Sequence, residues 1–209
     1  MTTRDWIAWH ADYDADTPLQ HRLRAVQRRI RDDLDTRPAG AIRVVSLCAG
    51  EGRDLLEVLA DHGRAADVRG RLVELDPLLA ARAAAKAPPG ISVEVGDAGW
   101  TGSYAGAIPS DLVLVCGVFG NISDEDIEGT VRALPAFCAP GATVIWTRHH
   151  RPPDLTIDIR RWFAESGFDL VGFDAPEAFE WSVGVHRFTG ETMPMPPNRR
   201  LFSFISHNA

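Results

Sequence analysis

The chain has 209 residues with 22 basic and 29 acidic side chains, a formal net charge of −7. That balance argues against general nucleic-acid binding, which relies on Lys and Arg neutralising many phosphates. An apolar fraction of 45% argues against disorder, and the length suits one domain with some decoration.

The three cysteines, Cys48, Cys116 and Cys138, form no CxxC pair or zinc-type cluster, so neither a disulfide framework nor a metal site is expected. Met1 to His10 has no apolar core of signal-peptide length. The longest apolar runs are strand-sized, far short of the ~20 residues of a membrane span. A cytoplasmic protein without a membrane partner is expected.

Trp6, Trp9, His10 and Tyr13 precede the first helix. Trp6 reads as packing, whereas His10 and Tyr13 are candidates to fold over a substrate pocket. Thr17-Pro18-Leu19-Gln20 then carries helix-start chemistry, with a capping hydroxyl, proline at the first helical position and a return partner three residues on. Leu19, Leu23, Val26, Ile30 and Leu34 recur at helical spacing, and the arginines between them read as a solvated face. The run ends before Arg37-Pro38-Ala39-Gly40. Residues 1–40 are expected to form a helical cover or lid and residues 41–209 the main domain.

Beyond Gly40 the pattern becomes strand, turn, helix, repeated. Strands are predicted at Arg43–Cys48, Arg71–Leu75, Ile91–Val95, Asp111–Cys116, Thr143–Thr147, Phe168–Phe173 and Leu201–Ile205. Asp76-Pro77 opens one helix, and Ser123 with Asp126, flanked by Ile122 and Ile127, opens another. Such alternation predicts a mostly parallel, three-layer α/β sheet. Right-handed crossovers then place every strand-to-helix loop on one edge, where ligands of open sheets bind.

Three features meet at that edge. Cys48-Ala49-Gly50-Glu51-Gly52 follows the first strand and opens a helix, and glycines there let backbone N–H groups approach a ligand closely. A nicotinamide-cofactor fingerprint would want a third glycine where Leu55 stands. The second strand ends Glu74-Leu75-Asp76, placing acids where a ribose diol would lie. The third ends Gly96-Asp97-Ala98. Singly these have bland readings: Asp76 as a helix cap, Asp97 as a turn residue.

From Ala41 to Ser206 the sequence resembles the class I S-adenosylmethionine-dependent methyltransferases. VVSLCAGEGRDLLEVL is similar to their first motif, with Gly50 and Gly52 matching its second and third glycines. Glu74 in VELDP matches the acid that holds both ribose hydroxyls, and Asp97 in GDA matches the acid facing the adenine amine. The resemblance implies a Rossmann-like seven-stranded sheet with an antiparallel last strand. It places the cofactor on Ser46, Cys48, Ala49, Gly50, Glu51, Gly52, Glu74, Leu75, Asp76, Asp97, Ala98, Cys116 and Gly117. Ser46 stands where the family has an acid near the methionine amino group, and Cys48 replaces the first glycine. Asp54 either compensates or is an exposed first-turn acid favoured by the helix dipole.

The loop Cys116 to Asn121 lacks the Asn/Asp-Pro-Pro-aromatic signature of nucleic-acid and protein amino-methylating relatives, which points to a small-molecule acceptor. Phe119 and Asn121 are candidates to contact it, Asn121 alternatively shaping a turn. A hydroxyl acceptor needs a base, most often a histidine, and His149, His150 and His186 are the candidates. The long connection Asp174–Asn198 is expected to be a lid, a peripheral hairpin or a contact in a homodimer. Arg148, Arg151 and Arg187 are expected at the pocket mouth. Two rival readings are a cofactor-binding module without catalysis and a nicotinamide-dependent oxidoreductase.

Overall fold

The structure, a computed structural model, describes residues 17–205. Its strands are β1 Ile42–Leu47, β2 Val68–Glu74, β3 Ile91–Val95, β4 Ser110–Val115, β5 Cys138–His149, β6 Phe168–Asp174 and β7 Trp181–Phe188. They form one sheet in the order β3-β2-β1-β4-β5-β7-β6. Pairings from β3 through β5 are parallel, and β7 runs antiparallel between β5 and β6.

The antiparallel strand is not the predicted Leu201–Ile205, which makes only the single bridge Ile122–Phe204, with Trp100–Arg200 just before it. It is Trp181–Phe188, from within the expected long connection. One face of this strand carries Ser182, Gly184 and His186, so the apolar alternation that marks a strand is masked. The glycine has a steric reason. Gly184 sits opposite Trp146 in register, and a Cβ there would lie 2.2 Å from the indole.

Among the described residues five helices cover the sheet: α1 Pro18–Thr36, α2 Arg53–Leu59, α3 Pro77–Lys86, α4 Asp124–Ala133 and α5 Thr156–Glu165. Their starts follow the sequence logic. The Thr17 hydroxyl accepts the Gln20 amide at 3.2 Å, Asp76 accepts the Leu78 and Leu79 amides, and Ser123 accepts that of Asp126. Each cap satisfies N–H groups that the first helical turn leaves without partners.

Helices α1, α2 and α3 pack on one face of the sheet, through Ile30, Leu34, Leu55 and Ala83 against Val44, Leu114 and Ile145. Helices α4 and α5 pack on the other, through Ile127, Val131 and Phe163 against Val113, Val115 and Trp146. The α1 stripe Val26, Ile30 and Leu34 is therefore a layer of the sheet's own core. Its C-terminal end is fixed by buried Asp33, which accepts from Arg37 Nε at 2.7 Å and from the Thr143 hydroxyl of β5. With both faces covered, what remains open is the edge where β1 to β4 deliver their loops.

Candidate active site

A cavity of about 550 Å³ opens at that edge, within the usual range for small-molecule sites. Its wall takes Cys48, Ala49 and Gly50 from the loop after β1, Glu74, Leu75 and Asp76 from the end of β2, Asp97 and Ala98 after β3, and Cys116 and Gly117 after β4. These ten are positions that sequence reasoning assigned to a cofactor.

The glycine loop turns through three left-handed residues, Cys48 at φ 53, Gly50 at φ 57 and Gly52 at φ 69. Such angles are rare for a side chain like that of cysteine, so Cys48 holds a conformation its residue type disfavours. The Ala49 amide donates to Val73 O and the Gly50 amide to Glu74 Oε2 at 2.8 Å. Glu74 Oε1 accepts the Asp76 amide at 2.9 Å. Both oxygens of a buried carboxylate are thus held by backbone donors, and each retains a further lone-pair direction toward the cavity. Burial, followed by the charges of Glu74 and Asp97, pushes the Cys48 thiol well up, so the sulfur is a neutral wall atom rather than a nucleophile.

Three of the predicted cofactor residues are not in the wall. Gly52 is needed for packing, since a Cβ there would meet Leu56 and Leu72 below 3 Å. Glu51 turns away into a cluster with Arg53, Arg82 and Lys86. Burial there raises the Glu51 carboxyl, but the hydrogen bonds from Arg82 and Arg53 outweigh it and hold the group low. Ser46 is buried in β1 with its Oγ outside any hydrogen bond among the described residues.

The acceptor-side expectations need more correction. His186 lies in the core, its ring 4.1 Å from that of Phe163 and its Nδ1 accepting from the Trp146 indole; burial drives its pKa down to about 3. Phe119 is fully buried beside Trp146. Arg148 is buried on the α4 face, donating to Phe119 O. Arg187 sits at the opposite end of β7, bonded to Gly141 O and near Asp33, so no arginine cluster with Arg148 and Arg151 forms at the mouth. Asn121 shapes the turn: its side-chain amide donates to Gly117 O and its carbonyl accepts the Ile205 amide.

His149 ends β5 and His150 follows it, both outside the cavity wall. His149 is half-buried on the Thr147 face of the strand, and Thr147 does line the cavity. Burial and then the charges of Arg148 and Arg151 lower its pKa. His10 and Tyr13 lie outside the described residues.

Other wall residues, Asp54 excepted, were not anticipated. Helix α1 contributes Arg22, Leu23 and Val26, so its arginine face is not wholly solvated. Asp54, in the first turn of α2, is half-buried in the wall and not exposed; burial raises its pKa to about 6, partly opposed by the Leu55 amide and by Arg22. The C-terminal segment adds Arg200, Phe202, Ser203 and Phe204.

No protein-family model and no curated protein matches the chain by sequence. Solved structures share its architecture. Magnesium protoporphyrin IX methyltransferase from Synechocystis PCC 6803, with S-adenosylmethionine bound, superposes with a TM-score of 0.66 at 13% identity, covering 90% of this chain and 92% of that one. The N-methyltransferase NodS from Bradyrhizobium japonicum WM9, in complex with S-adenosyl-L-homocysteine, gives 0.61 at 16% identity, covering 85% and 90%. A possible exported protein from Bordetella parapertussis gives 0.58 at 18%, covering 82% and 68%. The chain thus has the Rossmann-like, seven-stranded fold of the class I S-adenosylmethionine-dependent methyltransferases.

Proposed function

We propose that this protein transfers a methyl group from S-adenosylmethionine to a small-molecule acceptor. The observation that carries the reading is the Glu74 carboxylate, fixed by the Gly50 and Asp76 amides at the wall of the cavity. A carboxylate with both oxygens oriented in advance suits a vicinal diol, which offers two hydroxyl donors to one acid. Leu75, Ala98 and Phe202 give an apolar slot on one side of it. On the other side, Asp54 and Arg22 present unlike charges to the same space, as an amino-acid end requires. Asp54 thereby takes over the place that Ser46 leaves without an acid.

The cofactor, when bound, supplies an electrophilic methyl on a sulfonium sulfur. The protein's part is to hold the acceptor in line with it, and alignment of this kind contributes up to ~7–11 kcal/mol. With the two held in line, the sulfur–methyl bond would break as the methyl–acceptor bond formed, the electron pair staying on sulfur. A hydroxyl acceptor also needs a base for its proton, and of the three histidines His149 is the one on the same strand face as Thr147 of the wall. Leu55, fully buried where a dinucleotide fold places its third glycine, favours this cofactor over a nicotinamide.

Calorimetric titration with S-adenosylhomocysteine and with NADH tests the reading. Heat with the first, none with the second and loss of the signal in Glu74→Ala are expected. Silence with S-adenosylhomocysteine overturns the assignment, and binding without turnover over a broad acceptor panel favours a non-catalytic binding module.

A further inference from the structure

The segment Arg199–Ile205 has no place in the sheet, yet it returns to the ligand edge. Strand β7 delivers the chain to the far edge, where Arg187 pairs with Thr143. The chain then crosses the α4–α5 face, where the Thr192 hydroxyl donates to Cys138 O at 3.0 Å and Thr101 donates to Pro196 O at 2.9 Å. From Arg199 it is stitched to two loops. The Thr101 amide donates to Arg199 O and the Leu201 amide to Gly99 O, both after β3. The Ser203 amide donates to the Asp126 carboxylate at 3.0 Å and the Ile205 amide to Asn121 O at 2.9 Å, both after β4.

Within this segment Arg200 is held from three sides. Its guanidinium lies 4.4 Å over the Trp100 ring, donates to Asp97 Oδ2 at 3.1 Å and reaches Phe202 O at 3.1 Å. Asp97 Oδ1 meanwhile accepts the Gly99 amide at 2.8 Å. The acid at the β3 end of the cavity is therefore fixed, and its charge offset, by a residue that is 103 positions away in sequence. Both side chains are about 40% exposed, so solvent screens the ion pair and both it and the cation–π contact are weak holds. The segment's docking rests mainly on its main-chain bonds and on Leu201 and Phe202, which are buried in the core, and ligand contacts on its inner side add to that hold.

The two ends of the cavity differ in kind. Around Asp54 and Arg22 unlike charges face it, whereas at Asp97 a neutralised pair borders Leu75, Ala98 and Phe202. An uncharged aromatic base suits the second environment and a zwitterion the first. We infer that Arg199–Ile205 closes the nucleoside half of the cavity, and that Arg200, itself seated over Trp100, is a positioning residue which fixes Asp97 against the base. This rests on the cofactor reading above. By linkage, a ligand that gains from the docked segment must also hold that segment in place.

The test uses the full chain, titrated with S-adenosylhomocysteine and separately with adenosine. Arg200→Ala is expected to weaken both ligands by the same factor, at least about fivefold, the low end of ordinary coupling between sites. Arg200→Lys, which keeps the charge but not the planar stack, restores part of the loss. Arg22→Ala weakens S-adenosylhomocysteine and leaves adenosine unchanged. In hydrogen exchange, saturating S-adenosylhomocysteine slows the Leu201 and Ile205 amides. Parent-like affinities in Arg200→Ala, a loss confined to S-adenosylhomocysteine, or amides insensitive to ligand would each overturn the inference while the cofactor reading stands. A parent chain that binds neither ligand removes the cofactor reading itself.

Discussion

The Gly50 amide donates to the Glu74 carboxylate at 2.8 Å, which makes the loop after β1 and the acid after β2 a single unit. A glycine loop of this kind is ordinarily credited with offering amides to the ligand. Here the amide serves the protein, orienting the acid that faces the cavity. Glu74→Gln keeps the shape but removes the charge, and it leaves either Gly50 or Asp76 facing an amide nitrogen instead of an oxygen. Hydrogen bonds to a charged group are worth ~1.5–3 kcal/mol, so the dissociation constant for S-adenosylhomocysteine should rise by at least about tenfold. The lost acceptor should cost about 1–3 kcal/mol of stability. Calorimetry and a thermal melt read the two effects separately, and a Gln variant that binds like the parent would refute the role.

That unit also shows what a sequence can carry. The cofactor side was legible because it is local: each loop residue follows its own strand, and strand order plus handedness puts the loops on one edge. The acceptor side was not, because it depends on which strand lies beside β5. Reading Leu201–Ile205 as the last strand moved His186 and Arg187 into a lid, when β7 buries one in the core and carries the other to the far edge. Arg22 was passed over, and Asp54 left between two readings, for a similar reason. An arginine on an amphipathic helix and an acid in a first turn look solvated until packing places α1 and α2 side by side over the cavity.

Asp54 gives the site a pH signature. Its carboxyl titrates near 4 when unfolded and is raised to about 6 by burial. The folded state therefore binds the proton more readily, and stability falls as pH rises from about 4 to about 6. Asp54→Asn should be more stable than the parent by about 1–3 kcal/mol at pH 7.5 and nearly equal to it at pH 4. A ligand ammonium beside Asp54 favours the charged form. Binding of S-adenosylhomocysteine at pH 6 should therefore release a proton in the parent and not in Asp54→Asn. Calorimetry in buffers of different ionisation enthalpy counts that proton, and an equal count in both proteins would exclude Asp54 from the amino-acid end.

His186 makes the opposite prediction, no effect on binding and a clear one on stability. Folded, it stays neutral down to about pH 3 because burial disfavours the cation; unfolded, it takes its proton near pH 6.5. The unfolded state binds the proton first, so stability is lost as pH falls from about 6.5 toward 3, on the order of 4 kcal/mol in all. His186→Phe should flatten that acid limb. It also strips the Trp146 indole N–H of its acceptor, which costs about 1–3 kcal/mol at neutral pH. Urea melts from pH 7 to pH 4 compare the two slopes. A large change in S-adenosylhomocysteine affinity in this variant would return His186 to the list of site residues.

The core depends on β7 having no side chain where Trp146 crosses it. Gly184 pairs with Trp146 in register, and an added Cβ would stand 2.2 Å from indole Cε2 and 2.4 Å from Cζ2. The ring cannot swing aside, because Phe119, Phe163 and Phe173 surround it within about 6 Å and His186 holds its N–H. The backbone of β7 is equally fixed between β5 and β6. Overpacking a closed core costs ~1–3 kcal/mol and occasionally more, and with neither partner able to yield, Gly184→Ala should lie at or above the top of that range. In a chain of this length that lowers the melting temperature by roughly 6–12 °C. Trp146→Phe removes the part of the ring nearest the new methyl, so the double variant should recover part of the loss. If instead the two substitutions add without recovery, the cost of Gly184→Ala comes from the strand backbone and not from the indole.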